Sequence, residues 1–349
     1  MPNPPTPIVF PSDEQSHDAT IEWWYWNGHL RDASGNRYSF TNCLFRADVA
    51  KAKIPFLKSL PLQSHMPHAY FAHAVLSNIT KQTALKDAQH VVFISRESFG
   101  NPLLYVSYHD PLTRHEVPTE ITETAPFTYQ LKSKNLNLSL VSQKQPLLEA
   151  GTGFISVAGR ESYYYSLTDL RVTGSILVDG NWIAIEGKAW MDHQWANVPY
   201  ARDRWNWFSL QLHDGIDLMC VEYQNGEKKE GLVDVLRPDG TSAHYTQLTL
   251  TPGTDIWKSP RTNAEYPLSW DISIPDAAIR LSAHAPLADE ELLLAGMNYW
   301  EGPVDVSGTI GEKTVSGAGF MELVGYPADY SRLNALISEV RGKIRSLLG

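Results

Sequence analysis

The chain has 349 residues, enough at roughly 150 residues per domain for two domains or one large one. Apolar residues make up 43% of it and charged ones 19%, with no run of 18 apolar residues, which excludes a disordered chain and a helical membrane span. With 29 basic against 39 acidic side chains, a net charge of -10 and a pI near 5.6, it lacks the positive charge that phosphate contacts need, so no nucleic-acid partner is expected.

Residues 1–16 read as an extended arm: the first 11 include five prolines and carry neither the positive region nor the apolar run of a secretory signal. Cytoplasmic residence is therefore expected, a trimmed leader being the alternative. Ile21–Leu30 is β-branched and aromatic, the segment from Asp32 to Asn36 is a turn, and Arg37–Arg46 resumes the pattern, which predicts a hairpin. Further strands are predicted at His68–Asn78, Val91–Ser95, Leu103–His109, Phe127–Leu131, Leu136–Val141, Tyr163–Leu167 and Gly174–Val178. After the turn Asp179-Gly180-Asn181 comes Trp182–Trp195. The pattern then restarts at Trp205–His213 and Ile216–Tyr223 and runs on to Val304–Ile310 and Lys313–Val324. Short strands spaced by about 8 to 12 residues with turn signals between them predict sandwiches or barrels. Helical spacing appears only at the end, where Leu333, Leu336, Ile337, Val340 and Ile344 step by three or four after Pro327 and a cap at Asp329. That amphipathic helix packs on a barrel or, through Arg341, Lys343 and Arg345, lies on a membrane surface. The expected division is an arm over 1–16, a first β-barrel over 17–195, a second over 196–328 and a helix over 329–349.

The sequence has no Gly-x-Ser-x-Gly elbow, phosphate loop, dinucleotide fingerprint or His-Glu-x-x-His, which favours chemistry without a nucleotide cofactor. His65, His68 and His73 are too loosely spaced, with no acid or cysteine placed among them, to predict a metal site. Eight of the 11 tryptophans fall between Trp23 and Trp26 or between Trp182 and Trp207. In the first cluster, strand alternation puts Glu22, Trp24 and Trp26 on one face and Ile21, Trp23 and Tyr25 on the other. Glu22 is then a carboxylate among indoles. It is either a general acid with a raised pKa or a structural group locked to an arginine or to indole N–H groups. In the second cluster Asp192 and His193 point to opposite faces, which groups Trp190 with Asp192 and His193 with Trp195. The pair serves as acid and base, or as a lock at the junction of the two halves. Leu218, Cys220 and Glu222 share a third face, so Glu222 is an acid on an apolar surface, and alternation alone does not say which face is interior.

The stretches EWWYWNGHL, YFAHAVLSN, GRESYYYSLTDL, GKAWMDHQW, RWNWFSLQLHDG, NYWEGPVDVSG and GAGFMELVGY, in this order over residues 17 to 326, resemble the lipocalin-like family of AttH and the acyclic carotenoid 1,2-hydratases. The resemblance implies two consecutive lipocalin-like antiparallel β-barrels. In the hydratases it implicates the His and Trp of an Asp-His-x-Trp motif, here His193 and Trp195. A Tyr-x-Asp pair of those enzymes falls by spacing on Cys220 and Glu222, a departure that removes the tyrosyl hydroxyl. The resulting expectation is acid/base chemistry on a double bond of a lipophilic polyene or terpenoid: hydration, isomerisation or cyclisation without a cofactor. Glu222 or Asp192 would be the acid, with Glu22 a further candidate, and His193 the base. Trp23, Trp24, Trp26, Trp190, Trp195 and Cys220 would line the pocket, the aromatic faces stabilising a carbocation. The alternatives are a carrier of a hydrophobic ligand, or an ester hydrolase with Cys220 as nucleophile beside His193.

Overall fold

The computed structural model of the protein describes residues 5–52, 67–89, 92–94, 103–109, 117–197, 203–294 and 297–329. The predicted C-terminal helix, beyond Asp329, lies outside the described residues, as does His65.

Nine strands frame the two cores and the space between them: β1 Ile21–Asp32, β2 Arg37–Asp48, β3 His68–Asn78, β4 Arg160–Val178, β5 Asn181–Ala196, β6 Arg204–Leu212, β7 Asp217–Asn225, β8 Met297–Ile310 and β9 Lys313–Val324. The hairpins form where the turn chemistry allows. Between β1 and β2, Asp32 Oδ1 accepts the amides of Ser34 and Asn36, and Gly35 takes a positive φ. Between β4 and β5, Asp179 and Gly180 both have positive φ, the requirement of the two-residue turn that an Asp-Gly pair favours. Tyr163–Leu167 and Gly174–Val178 are not separate strands. They belong to β4, a single 19-residue strand whose register against β5 shifts between Leu167 and Leu170.

Among the described residues all pairing is antiparallel and forms two large sheets and one small one, Ile256–Lys258 with Glu265–Pro267. In the first, β3, β2, β1, β5 and β4 are consecutive neighbours. The sheet continues through Leu136–Ser142, Thr128–Lys132, Thr119–Ala125 and Tyr105–His109, while Thr83–Gln89 borders β3. In the second, Lys228–Leu236, β7, β6, β9, β8, Ile279–His284 and Ser269–Ile274 lie side by side. Each sheet curls around its own core, as two lipocalin-like barrels do. The first core holds Trp24, Trp26, Phe40, Tyr129 and Tyr165, and the second holds Phe208, Cys220, Trp270, Trp300 and Met321. The arm adds to the first core: Phe10 packs edge-on against Phe127 and Tyr165, and Glu14 is wholly buried on the Tyr129 hydroxyl.

A further core lies between the sheets, where Tyr25, Cys43, Tyr164 and Trp190 meet Trp207, Met219 and Phe320. Beside it, Phe71 and Val75 of β3 pack with Tyr299 and Val324. The central strands of the first sheet are therefore covered on both faces, which explains why Trp23–Trp26 of β1 is a continuous aromatic run instead of alternating with polar residues. Polar ties reinforce the contact. Gln211 Nε2 donates to the carbonyls of Thr168 and Ala189 at 2.6 and 3.0 Å, and Asp217 accepts from Lys144 Nζ and Thr168 Oγ1 at 2.5 and 2.6 Å.

Candidate active site between the two sheets

The packed outer faces leave a cavity of about 180 Å³, well above the roughly 10–15 Å³ that one water needs. Alternation decides which side chains reach it. From the first sheet come Trp23 and Tyr25 of β1, Cys43 and Phe45 of β2, His73 of β3, Tyr164 of β4 and Asp192 of β5. The second sheet contributes Trp205 and Trp207 of β6, Val221 and Tyr223 of β7, Tyr299 and Glu301 of β8, and Glu322 of β9. The walls are thus largely aromatic, and five carboxyl groups interrupt them: Glu161, Asp192, Asp203, Glu301 and Glu322.

Asp192 accepts three hydrogen bonds, from Ser166 Oγ and Trp190 Nε1 to Oδ1 at 2.6 Å each and from Tyr164 Oη to Oδ2 at 2.8 Å. Trp207 Nε1 donates to the Tyr164 hydroxyl at 3.0 Å, so a residue of the second sheet holds the phenol that faces Asp192. Burial raises the Asp192 carboxyl to about 6, and those hydrogen bonds hold it from going higher. Across the cavity Glu322 Oε1 accepts Trp205 Nε1 at 3.0 Å. Burial, then repulsion from the neighbouring Glu301, raises Glu322 to about 8. Glu301 itself faces His73 Nε2 at 3.1 Å, and Tyr299 Oη lies 2.7 Å from His73 Nδ1. The Tyr25 hydroxyl is buried with no hydrogen-bond partner among the described residues, and its ring stands edge-on to Trp207.

Of the residues singled out in the sequence, Asp192 and Trp23 line this cavity. Trp190 supports it from behind through its bond to Asp192. Glu22, His193, Trp24, Trp26 and Trp195 do not reach it, because they lie on the opposite faces of β1 and β5, inside the first barrel. There Glu22 accepts His17 Nδ1 at 2.7 Å, His193 Nε2 at 3.0 Å and Arg46 Nη1 at 2.9 Å. Burial alone would raise its pKa, but the hydrogen bonds from His17 and His193 outweigh burial and lower it to about 2. Glu22 is therefore a locked carboxylate, which corrects its reading as a proton donor. Trp24 stacks on His193, Trp195 stacks on His17 with centroids 3.7 Å apart, and Trp26 packs edge-on to Tyr129.

Glu222 is corrected as well: it is half-buried, paired with Lys229 Nζ at 3.0 Å and with Asn206 Nδ2 at 3.3 Å, and outside the cavity lining. Cys220 is fully buried in the second core, apart from the first-barrel cluster around His193, and burial drives its thiol far above the ordinary range. That placement removes the thiolate a hydrolase would need. Sequence reasoning misses Tyr164, Glu301 and Glu322, although all three lie in stretches that carry the resemblance. Glu322, flanked by Phe320, Met321, Leu323 and Val324, bears the same signal that draws attention to Glu22 and Glu222: an acid in an apolar strand.

Two curled antiparallel sheets enclosing an acid-bearing aromatic cavity define a double lipocalin-like protein. The chain belongs to the AttH-like family, whose model matches residues 1–326. Its similarity to kievitone hydratase of Fusarium solani subsp. phaseoli is 24% identity over 184 residues, 50% of this chain and 52% of that protein. With the dehydratase asqC of Emericella nidulans it shares 24% identity over 205 residues, 54% of this chain and 57% of the other. The chain thus spans about half the length of the curated relatives it matches. A crystal structure of an AttH protein from Nitrosomonas europaea superposes with a TM-score of 0.74 at 27% identity, covering 93% of this chain and 98% of that one.

Proposed function

We propose that this protein is a hydro-lyase, a hydratase or dehydratase, acting by acid/base chemistry on a lipophilic natural product held between the two sheets. The observation that carries the proposal is one largely apolar cavity in which two carboxyls are tuned apart, the buried Asp192 at about 6 and the half-buried Glu322 at about 8. Between those values Asp192 is ionised and Glu322 protonated, so base and acid stand ready together at neutral pH. In the hydration direction Glu322 protonates one alkene carbon, and water adds to the other while giving a proton to Asp192. Dehydration is the reverse along the same path: the protonated Asp192 gives its proton to the departing hydroxyl and the Glu322 carboxylate removes the C–H proton. Trp23, Trp205 and Trp207 offer ring faces to positive charge developing on carbon, worth about 0.5 to 2 kcal/mol each. The two curated relatives, one named a hydratase and one a dehydratase, support the same reaction class. The test is incubation with a panel of acyclic polyenes, terpenoids and their hydroxylated derivatives in heavy water, with products read by mass spectrometry. A hydration product carrying deuterium on carbon, or a dehydration product lighter by one water, that disappears in Glu322→Gln and Asp192→Asn supports the assignment. A ligand bound stoichiometrically and recovered unchanged would make the protein a carrier instead.

A further inference from the structure

The geometry points to a divalent transition-metal site at the mouth of the first barrel, built by His17 Nδ1, Glu22 Oε1 and His193 Nε2. These atoms come from the segment that joins the arm to β1, from β1 itself and from β5, and lie within 4.8 Å of one another. Both imidazole nitrogens face the same carboxylate oxygen, at 2.7 and 3.0 Å. Ligands bound at about 2.0–2.2 Å from an ion stand roughly 3 Å apart, so small shifts suffice to seat one. Two histidines and one carboxylate suit zinc and its neighbours, and leave positions open.

The surroundings of the three ligands match the supports of a metal site. Binding requires each imidazole in the tautomer that carries its proton on the far nitrogen, and both far nitrogens have an acceptor within reach. His17 Nε2 faces Asp13 Oδ1 at 3.5 Å, and His193 Nδ1 faces the Tyr165 hydroxyl at 3.3 Å. The ring planes are set by stacking, His17 on Trp195 and His193 on Trp24. Arg46 is the arginine that pairs with Glu22. It bonds Glu22 through Oε2, and the His17 amide N–H donates to both carboxylate oxygens at 3.1 Å, so the carboxylate is oriented by its neighbours with Oε1 facing the two imidazoles. Access comes from a second, independent feature. A cavity of about 400 Å³ opens beside the partly exposed His17, and its lining includes the carboxylates of Asp13, Asp18 and Glu161, with Lys51 pairing Asp18. An acidic approach concentrates cations at the ligands. The bound ion would tie the arm to the barrel wall, and it shares neither role nor residues with the inter-sheet acids, so this site stands or falls independently of the proposed reaction.

Isothermal titration of the chelator-stripped full chain with Zn(II), and its visible absorption with Co(II), test the site. One ion per chain is expected, with a ligand-field spectrum of a nitrogen- and oxygen-bound ion. His17→Ala should weaken binding at least 30-fold and Asp13→Asn by about 10-fold, the range found for outer partners of metal-bound histidines. His284→Ala, at an exposed histidine elsewhere, should leave it unchanged. Circular dichroism confirms that each variant folds; should His17→Ala misfold, Asp13→Asn decides. Absence of saturable uptake by the wild type, or affinity unchanged in both His17→Ala and Asp13→Asn, overturns the proposal.

Discussion

Replacing Glu322 by Gln removes one proton from the cavity and little else. The new side chain is nearly isosteric, and its carbonyl still accepts Trp205 Nε1. At pH 7 an ordinary glutamate near 4.5 is protonated in fewer than one molecule in a hundred. With its pKa at about 8, Glu322 is protonated in about nine of ten, so burial and the repulsion of Glu301 increase the competent acid roughly 300-fold. A general acid contributes on the order of 10²- to 10⁴-fold to rate, and Glu322→Gln should lose that much turnover while remaining folded. The wild-type rate should rise as Asp192 ionises near pH 6 and fall as Glu322 deprotonates near pH 8. In the variant the alkaline limb should vanish from whatever rate remains. One assay needs no substrate: the infrared carbonyl band of a protonated carboxyl should persist at pH 7 in the wild type and be reduced in Glu322→Gln. If every such band titrated away near pH 4.5, or the variant kept full turnover, the reasoning would be refuted.

Asp192→Asn should abolish the acidic limb and lower turnover by at least 100-fold, and should also cost about 1–3 kcal/mol of stability, because an amide cannot accept all three hydrogen bonds; urea unfolding and pH–rate profiles measure the two effects. Tyr25→Phe removes a buried hydroxyl that has no hydrogen-bond partner among the described residues and should hold or raise stability, by up to about 1 kcal/mol in the same unfolding experiment. Arg46→Met leaves Glu22 with its histidines alone and should destabilise by about 3–5 kcal/mol, the cost of breaking a buried ion pair. The Glu22 carboxyl is held below its unfolded value, so its stabilisation is complete above about pH 4.5 and is lost as the pH falls toward 2, which acid unfolding of wild type and Arg46→Met should reveal as a difference that shrinks in that window.

Period-two alternation and turn residues are enough to read most of the architecture. His68–Asn78 and Lys313–Val324 have the predicted bounds, and the Asp179-Gly180 turn joins β4 and β5 as expected. Thr83–Gln89 and Thr119–Ala125 escape such reading. TALKDAQ has four charged or polar residues of seven and TEITETA has five, and their pairing comes from backbone ladders with neighbours that their own composition does not announce. Alternation also separates Glu22, Trp24 and Trp26 from Trp23 and Tyr25, and Asp192 from His193. Those separations hold in the fold.

Which of the two faces meets the inter-sheet cavity is beyond the sequence, because a strand's period assigns sides without saying what will cover them. Both faces of β1 at Trp24–Trp26 and of β5 at Ala189–His193 are buried, one by the barrel's own interior and one by a sheet that begins near residue 204. The charge states are equally out of its reach. Glu22 and Glu322 are both carboxyls in apolar, aromatic strands, and both are desolvated by burial. Chain segments carrying His17, Arg46 and His193 converge on Glu22 and hold it ionised, whereas Glu322 meets an indole N–H and another acid, Glu301, and keeps its proton. Composition and alternation put acids among tryptophans; the long-range pairing of strands decided which acid is a lock and which can give up a proton.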